Sequence, residues 1–308
     1  MAGGSSRRRF LLGAGATGLA IGLGSAATAG AVPGSAVKDL VPGPRVPADG
    51  TSGQGVGAAF PEVWEEPGRF GAPRVVWSLP VEQPLAALTF DDGPTPEYTP
   101  RVLAALADAG VTATFNVMGA NAVAHPGLLR EIVAAGHEVG NHSWSHRDQT
   151  GLTVAETRTE VVRCAEEVGA ITGQPLTGFR PPRGKLTGYG LRVCAELGYE
   201  VWIWSCTRGP DGTGTAGAVS THLARTVRPG DVVCLHDGLG RGTFQPGTAF
   251  TAGLAARREV EVRALPDALR RIADRGVTLT SAGQLLAAAD REAAVRTLTA
   301  AGSPSPTA

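Results

Sequence analysis

Leu85-Ala86-Ala87-Leu88-Thr89-Phe90-Asp91-Asp92-Gly93-Pro94 is an apolar run that stops on two carboxylates and a Gly-Pro turn. The run is too short for a helix and is bounded by turn residues, so it reads as a buried strand. Tyr98 to Ala109 follows with helical spacing, and Thr112 to Val117 is again β-rich. Outward from there the alternation persists. Asn121 to Ala135 predicts a helix, His137 to Gly140 an extended piece and Thr153 to Thr172 a long helix. Phe179 and its neighbours are extended, and Tyr189 to Leu197 is helical. Val201 to Ser205 and Asp231 to His236 read as strands around a helix near Ala216 to Val227. Leu265 to Arg275, Val277 to Thr280 and Ser281 to Ala289 close the series. Strands alternating with helices argue for parallel β connected by crossovers. About seven such units point to an α/β barrel, with ligand chemistry at the C-terminal ends of the strands. No internal sequence repeat is present.

Inside a strand, neighbouring side chains face opposite ways, so Asp91 and Asp92 could not share a site there. Gly93-Pro94 ends the strand at once, which lets both carboxylates turn into one mouth. The competing reading is a turn that caps the next helix. Asn141-His142-Ser143-Trp144-Ser145-His146 follows another short β segment. Histidines four apart on a helical turn bring their rings to one side, within reach of one ion. His125, His137 and His222 lack such company and read as structural. The two motifs together supply two imidazoles and a carboxylate, the donors of an open catalytic metal site. Non-haem iron oxygenases use the same donors, but on β scaffolds that this alternating pattern does not match.

Three further pieces lie at strand ends. Phe179-Arg180-Pro181-Pro182-Arg183-Gly184 places an arginine before a stiffened turn, where the N–H of Arg183 can be aimed at a reacting oxygen. Cys234-Leu235-His236-Asp237-Gly238 puts a histidine at the end of an apolar strand. Val201-Trp202-Ile203-Trp204 offers aromatic surface for a sugar, with one tryptophan of the alternating pair left for the core.

Thr89-Phe90-Asp91-Asp92-Gly93, His142-Ser-Trp-Ser-His146, Arg180-Pro-Pro-Arg-Gly184 and Leu235-His236-Asp237 together resemble the successive motifs of the polysaccharide deacetylase family, the NodB-homology domain of carbohydrate esterase family 4. The resemblance runs in order from about Ala86 to Leu286. It implies a distorted (β/α) barrel in which Asp92, His142 and His146 hold one divalent metal, usually zinc, with cobalt or nickel as alternatives. It further implies Asp91 as general base, Arg180 as its partner and His236 as the acid that protonates the leaving group. Arg183, Trp204 and Leu235 would then line the oxyanion and substrate pocket. The chain departs from the family pattern after Trp204. Ser205 stands where an aspartate is common, and Arg208-Gly209-Pro210-Asp211-Gly212 lacks the usual Asp-Trp pair. Asp211 is the candidate to replace the acid that tunes His236. Cys234 and Arg183 stand where leucine and tyrosine are frequent.

The remainder frames this domain. Ser6-Arg7-Arg8-Arg9-Phe10-Leu11 precedes a Gly/Ala/Leu-rich stretch and A-x-A-like cleavage points, which resembles a twin-arginine export signal over residues 1–31. An uncleaved membrane anchor is the alternative. Residues 32–75 are Gly/Pro-rich and read as a lead-in, 76–290 as the deacetylase domain and 291–308 as a frayed helix and flexible tail. Four cysteines in an exported chain allow two disulfides. Cys164–Cys194 and Cys206–Cys234 are the expected pairs, with free buried thiols as the alternative. The 28 basic and 28 acidic residues balance, so the whole chain carries no electrostatic signature for nucleic acid. No phosphate-binding glycine loop occurs between a strand and a helix.

The combined expectation is a secreted or cell-wall-associated monomer, delivered by the export machinery, that removes acetyl groups from a carbohydrate polymer. N-acetylglucosamine units of chitin oligomers or peptidoglycan lead, and O-acetyl xylan is the rival within the class. A non-catalytic carbohydrate-binding relative and a barrel hydrolase of small cyclic amides are the readings from other classes.

Overall fold

The structure, a computed structural model, describes residues 73–302 except 177 and 210–213. The export signal, most of the lead-in and Asp211 lie outside the described residues. The strands are β1 (Val75–Val76), β2 (Leu85–Asp91), β3 (Thr114–Val117), β4 (Glu138–Asn141), β5 (Gly178–Phe179), β6 (Glu200–Trp202), β7 (Cys206–Thr207), β8 (Val232–His236) and β9 (Thr278–Thr280). The helices are α1 (Thr99–Ala109), α2 (Gly119–Ala124), α3 (Pro126–Ala134), α4 (Val154–Thr172), α5 (Gly188–Leu197), α6 (Ala216–Thr226), α7 (Ala249–Asp274) and α8 (Ala282–Gly302).

The strands form one sheet in the order β1-β6-β5-β4-β3-β2-β8-β7, with β9 also on β2. Every pairing between these strands is parallel. β6 and β7 are separated by only three residues yet lie far apart in that order. Their linker donates from Ser205 N to the Val232 carbonyl at 3.0 Å. The sheet therefore has to curl until its two ends meet, giving the distorted parallel barrel that the alternating pattern predicts.

Strand alternation sorts the core into two zones. Along β2, Ala86, Leu88 and Phe90 pack outward among the helices. Ala87 belongs to a smaller cluster with Val76, Trp202, Val232, Ala282 and Leu285. Phe90 stacks on Phe115 of β3 at 5.2 Å between ring centroids. The helix predicted over Asn121 to Ala135 is split, because Pro126 opens α3 with no N–H to continue α2. α4 starts at a reciprocal cap between Thr153 and Glu156. α7 begins sixteen residues before the sequence reading placed it, and α8 runs on to Gly302.

The disulfide expectation is corrected, since all four cysteines are free and buried. In the β7–β8 register Cys206 sits opposite Val233, not Cys234. Cys206 Sγ lies 3.4 Å from the Thr226 hydroxyl on α6, whereas Cys234 Sγ turns into the barrel toward Asp91. The two thiols thus point to opposite faces of the sheet. Cys164 faces β3 and donates to the Val117 carbonyl.

Candidate active site

The mouth at the C-terminal strand ends is a cavity of about 300 Å³ whose lining includes Asp91, Asp92, His142, His146, Arg183, Trp204, Cys234 and His236. Asp91 is the last residue of β2 and keeps the inward direction of Thr89. Asp92 would point outward if the strand continued. Instead its backbone turns to φ 79°, a left-handed value that asparagine and aspartate tolerate better than most residues. Both carboxylates consequently reach the same space. Gly93 lets this turn close, because a Cβ there would fall 2.2 Å from an oxygen of Asp237. Asp237 itself accepts from Gly93 N and from the Thr99 hydroxyl, so it pins the turn.

The segment from His142 to His146 is a loop after β4 and not the helical turn that four-residue spacing suggested. Ser143 and His146 both hold left-handed φ values, 64° and 57°. The loop's N–H groups are met by side chains: Asn141 Oδ1 accepts from Ser143 N, Ser143 Oγ from His146 N, and Glu160 from Ser145 N. His142 Nδ1 lies 2.7 Å from the Arg180 carbonyl. A carbonyl can only accept, so Nδ1 carries the proton and Nε2 is left as the ring's ligand atom; burial opposes charge on the ring, but Asp91 and Asp92 outweigh it and raise its pKa.

Nε2 of His142 and Nε2 of His146 each stand 3.4 Å from Asp92 Oδ1. That oxygen is buried without a hydrogen-bond partner. Three lone-pair atoms thus converge, and one is orphaned, which is the arrangement a cation satisfies. Burial pushes His146 down to about 4, leaving its ring neutral and able to ligate at neutral pH. Burial opposes ionisation of Asp92, but His142, His146, His236 and Arg258 outweigh it and hold the carboxyl well below its usual range.

Asp91 is held on three sides. Arg180 Nη1 donates to its Oδ1 at 3.0 Å and Asn116 Nδ2 to the same oxygen at 2.8 Å. The Cys234 thiol lies 3.3 Å from Oδ2. Arg180 is fully buried and survives there because its other donors end on the Thr89 hydroxyl and the Trp202 and Ile203 carbonyls. Burial opposes charge on Asp91, yet Arg180, His142 and His236 outweigh it and lower its pKa. The carboxylate form is therefore present at neutral pH. Asp91 and His236 each place a side-chain atom within 4.8 Å of the other.

His236 takes its partner from an element that the sequence reading did not use. Its Nδ1 stands 3.1 Å from Glu261 Oε2 on α7, a carboxylate only 2% exposed. One turn back, Arg258 donates to Glu261 Oε1 at 3.0 Å and to Asp92 Oδ2 at 3.1 Å. Arg208 also approaches Glu261, at 3.3 Å. One helix face thus holds both the histidine and the outer oxygen of Asp92. Arg258 and Glu261 lie three residues apart, in line with Leu254 and Leu265, which is the only signal of them in the sequence.

Of the other expected residues, Arg183 and Trp204 line the mouth. Arg183 holds φ 60° in the turn Pro182–Gly184. Trp202 is the member of the tryptophan pair that goes to the core. Leu235 is corrected: alternation along β8 turns it outward into the helix-facing core, leaving Cys234 and His236 at the mouth. His137 is structural, its Nδ1 accepting from Ala113 N.

Comparison with known proteins adds the chain's family and fold relatives. Residues 79–202 match the family described as polysaccharide deacetylase. The chain is 36% identical to a chitooligosaccharide deacetylase of Bradyrhizobium over 64% of its own length and 89% of the relative's. It is 32% identical to a peptidoglycan-N-acetylglucosamine deacetylase of Bacillus cereus, over 53% of this chain and 78% of that one. The solved peptidoglycan deacetylase PdaC of Bacillus subtilis superposes with a TM-score of 0.60 at 25% identity, covering 72% of this chain and 98% of the other.

Proposed function

The chain belongs to the polysaccharide deacetylase family, and from that premise we propose that it hydrolyses acetamido groups of an N-acetylglucosamine-containing polymer. The observation that carries the reading is the pair of acid–base groups flanking the cation-ready Asp92, His142 and His146. Asp91 is an ionised base, and His236, within 4.8 Å of it, is a histidine whose Nδ1 faces the Glu261 carboxylate. Zinc is the ion we assign, since two imidazoles and one carboxylate leave an open position. A bound divalent ion there would acidify a water and polarise the acetyl carbonyl.

The protein's own groups supply the remaining steps. Asp91, aimed by Arg180 and Asn116, takes the proton of the attacking water. The N–H of Arg183 donates to the oxyanion of the tetrahedral adduct. His236 then protonates the departing amine through Nε2, because Nδ1 is committed to Glu261. An amine is a poor leaving group, so this acid matters more for amides than for esters.

The test is acetate release from chitin oligomers, peptidoglycan and acetylated xylan by the purified protein, with zinc and with chelator. Zinc-dependent acetate from the acetamido polymers is expected. Acetate from xylan alone would move the substrate to the O-acetyl class, and none from any polymer, with stoichiometric bound metal, would favour a carbohydrate-binding role.

We further propose export by the twin-arginine route, resting on Arg7-Arg8 and the small-residue stretch after it. N-terminal sequencing of the extracellular protein should find the chain starting near residue 30. An intact Met1 in the membrane fraction would overturn this.

A further inference from the structure

We infer that Asp91, Cys234 and His236 form a second cation site in the mouth, through which a thiophilic divalent ion in excess stops turnover. The site stands on its own geometry, and its effect on turnover rests on the deacetylase reading. A carboxylate oxygen of Asp91, Sγ of Cys234 and a ring nitrogen of His236 all lie within 4.8 Å of one another. The three residues line the same cavity as Asp92, His142 and His146, so an ion reaches them from the mouth.

The spacing is that of ligands. Two donors on one tetrahedral ion, each about 2.0–2.3 Å from it, stand roughly 3.5 Å apart. Cys234 Sγ is 3.3 Å from Asp91 Oδ2, close to the 3.4 Å between Asp92 Oδ1 and each histidine of the first set. The second atom of each polar group is already engaged. Asp91 Oδ1 accepts from both Arg180 and Asn116, which leaves Oδ2 for an ion. His236 Nδ1 faces Glu261, which leaves Nε2, and a carboxylate behind the ring is the usual support of a histidine ligand. The His236 side chain is 26% exposed and has room to swing onto the ion.

Cys234 sets the choice of ion. Cys164, Cys194 and Cys206 pack in the helix-facing core, and Cys234 is the thiol that lines the mouth. Thiolate donors suit zinc, whereas magnesium and calcium take oxygen ligands. As the ion binds, the thiol proton leaves for solvent and the sulfur coordinates as thiolate. The two sets are close, with His142 Nε2 4.0 Å from Asp91 Oδ2. Divalent ions that near repel, so the second binds after the first and more weakly. Once there, it takes the lone pairs of Asp91 and His236, and base and acid are lost together. Turnover therefore peaks between the two binding steps.

The experiment titrates the metal-free full chain with cobalt and with zinc. It reads bound ions per chain by equilibrium dialysis, the near-ultraviolet charge-transfer band of a cobalt–thiolate bond, and acetate release. The first cobalt equivalent should bind without that band and the second with it. Filling the second site with zinc should lower acetate release by about 10²-fold or more, as for loss of acid–base catalysis. An equal excess of magnesium should not. Cys234→Ser and Cys234→Leu, each compared with its own rate at one equivalent of zinc, should lose the band and keep the first equivalent. Both should need at least about tenfold more zinc for half-inhibition, since loss of even an outer-shell partner weakens metal affinity by about 10–100-fold. One bound ion at every concentration, a second ion without the thiolate band, or half-inhibition at an unchanged zinc concentration in either variant would overturn the inference. A second equivalent with the band, in a chain that releases no acetate, would reject the hydrolysis and keep the site.

Discussion

Replacing Asp91 with asparagine lowers acetate release by about 10³-fold, within the range that a positioned general base contributes, while zinc remains bound. Asparagine fills the same space and its oxygen still accepts from Arg180 and Asn116, but it cannot take a proton from water. The proposed cation site takes its ligands from Asp92, His142 and His146 and none from Asp91, so metal stoichiometry is the internal control. The variant should also be less stable, because Arg180 is wholly buried and Asp91 is its only carboxylate among the described residues. Weakening one charge-assisted hydrogen bond of this kind costs about 1.5–3 kcal/mol. Thermal unfolding measures that cost separately from turnover. Full activity in Asp91→Asn would exclude it as the base. Loss of zinc along with activity would mean that it helps to hold the ion.

The sequence reading found what a strand end exposes and missed what a distant helix brings in. Asp91, Asp92, His142, Arg180 and His236 each follow a short apolar strand, so chain order alone places them around one mouth. Left-handed φ at Asp92 and His146 could not be read, because neither is glycine and the strain is imposed by tertiary partners. The HxxxH spacing was legible but its conformation was not. The loop depends on Glu160, which reaches it from α4. Most instructive is α7. Its first half was passed over because Arg258 and Glu261 interrupt the apolar stripe that marks a buried helix face. They interrupt it because they are buried for the site: both are under 7% exposed and each satisfies the other. Charged residues on a core-facing stripe thus hid the helix and marked its function together. The disulfide expectation failed for a related reason. Adjacency of strands is visible in a sequence, whereas the face on which a thiol lies depends on register.

Replacing Glu261 with glutamine separates amide from ester hydrolysis. Asp211, the acid that the sequence reading offered to tune His236, lies outside the described residues, and among those described Glu261 is the carboxylate that meets His236 Nδ1, at 3.1 Å. Burial opposes its ionisation, but His236 and Arg258 hold its pKa below the usual value, so it is a carboxylate at neutral pH. As an acceptor only, it fixes the proton on Nδ1 and leaves Nε2 to serve the leaving group. A glutamine in its place can donate as well as accept and no longer dictates the tautomer, a change that cripples an acid–base histidine. At saturating zinc, acetate release from an acetamido sugar should fall by about 10²-fold, as expected for loss of general acid catalysis. Hydrolysis of p-nitrophenyl acetate, whose phenolate leaves without a proton, should stay within about threefold, because only the acid's contribution is removed. A purely structural role would lower both rates together. An unchanged amide rate would return the role to Asp211. Saturating zinc matters because Arg258 bridges Glu261 to Asp92, and loss of such a supporting contact weakens metal affinity by about 10–100-fold. With the ion restored, the surviving difference between amide and ester is the contribution of His236 acting through a carboxylate that the fold recruited from α7.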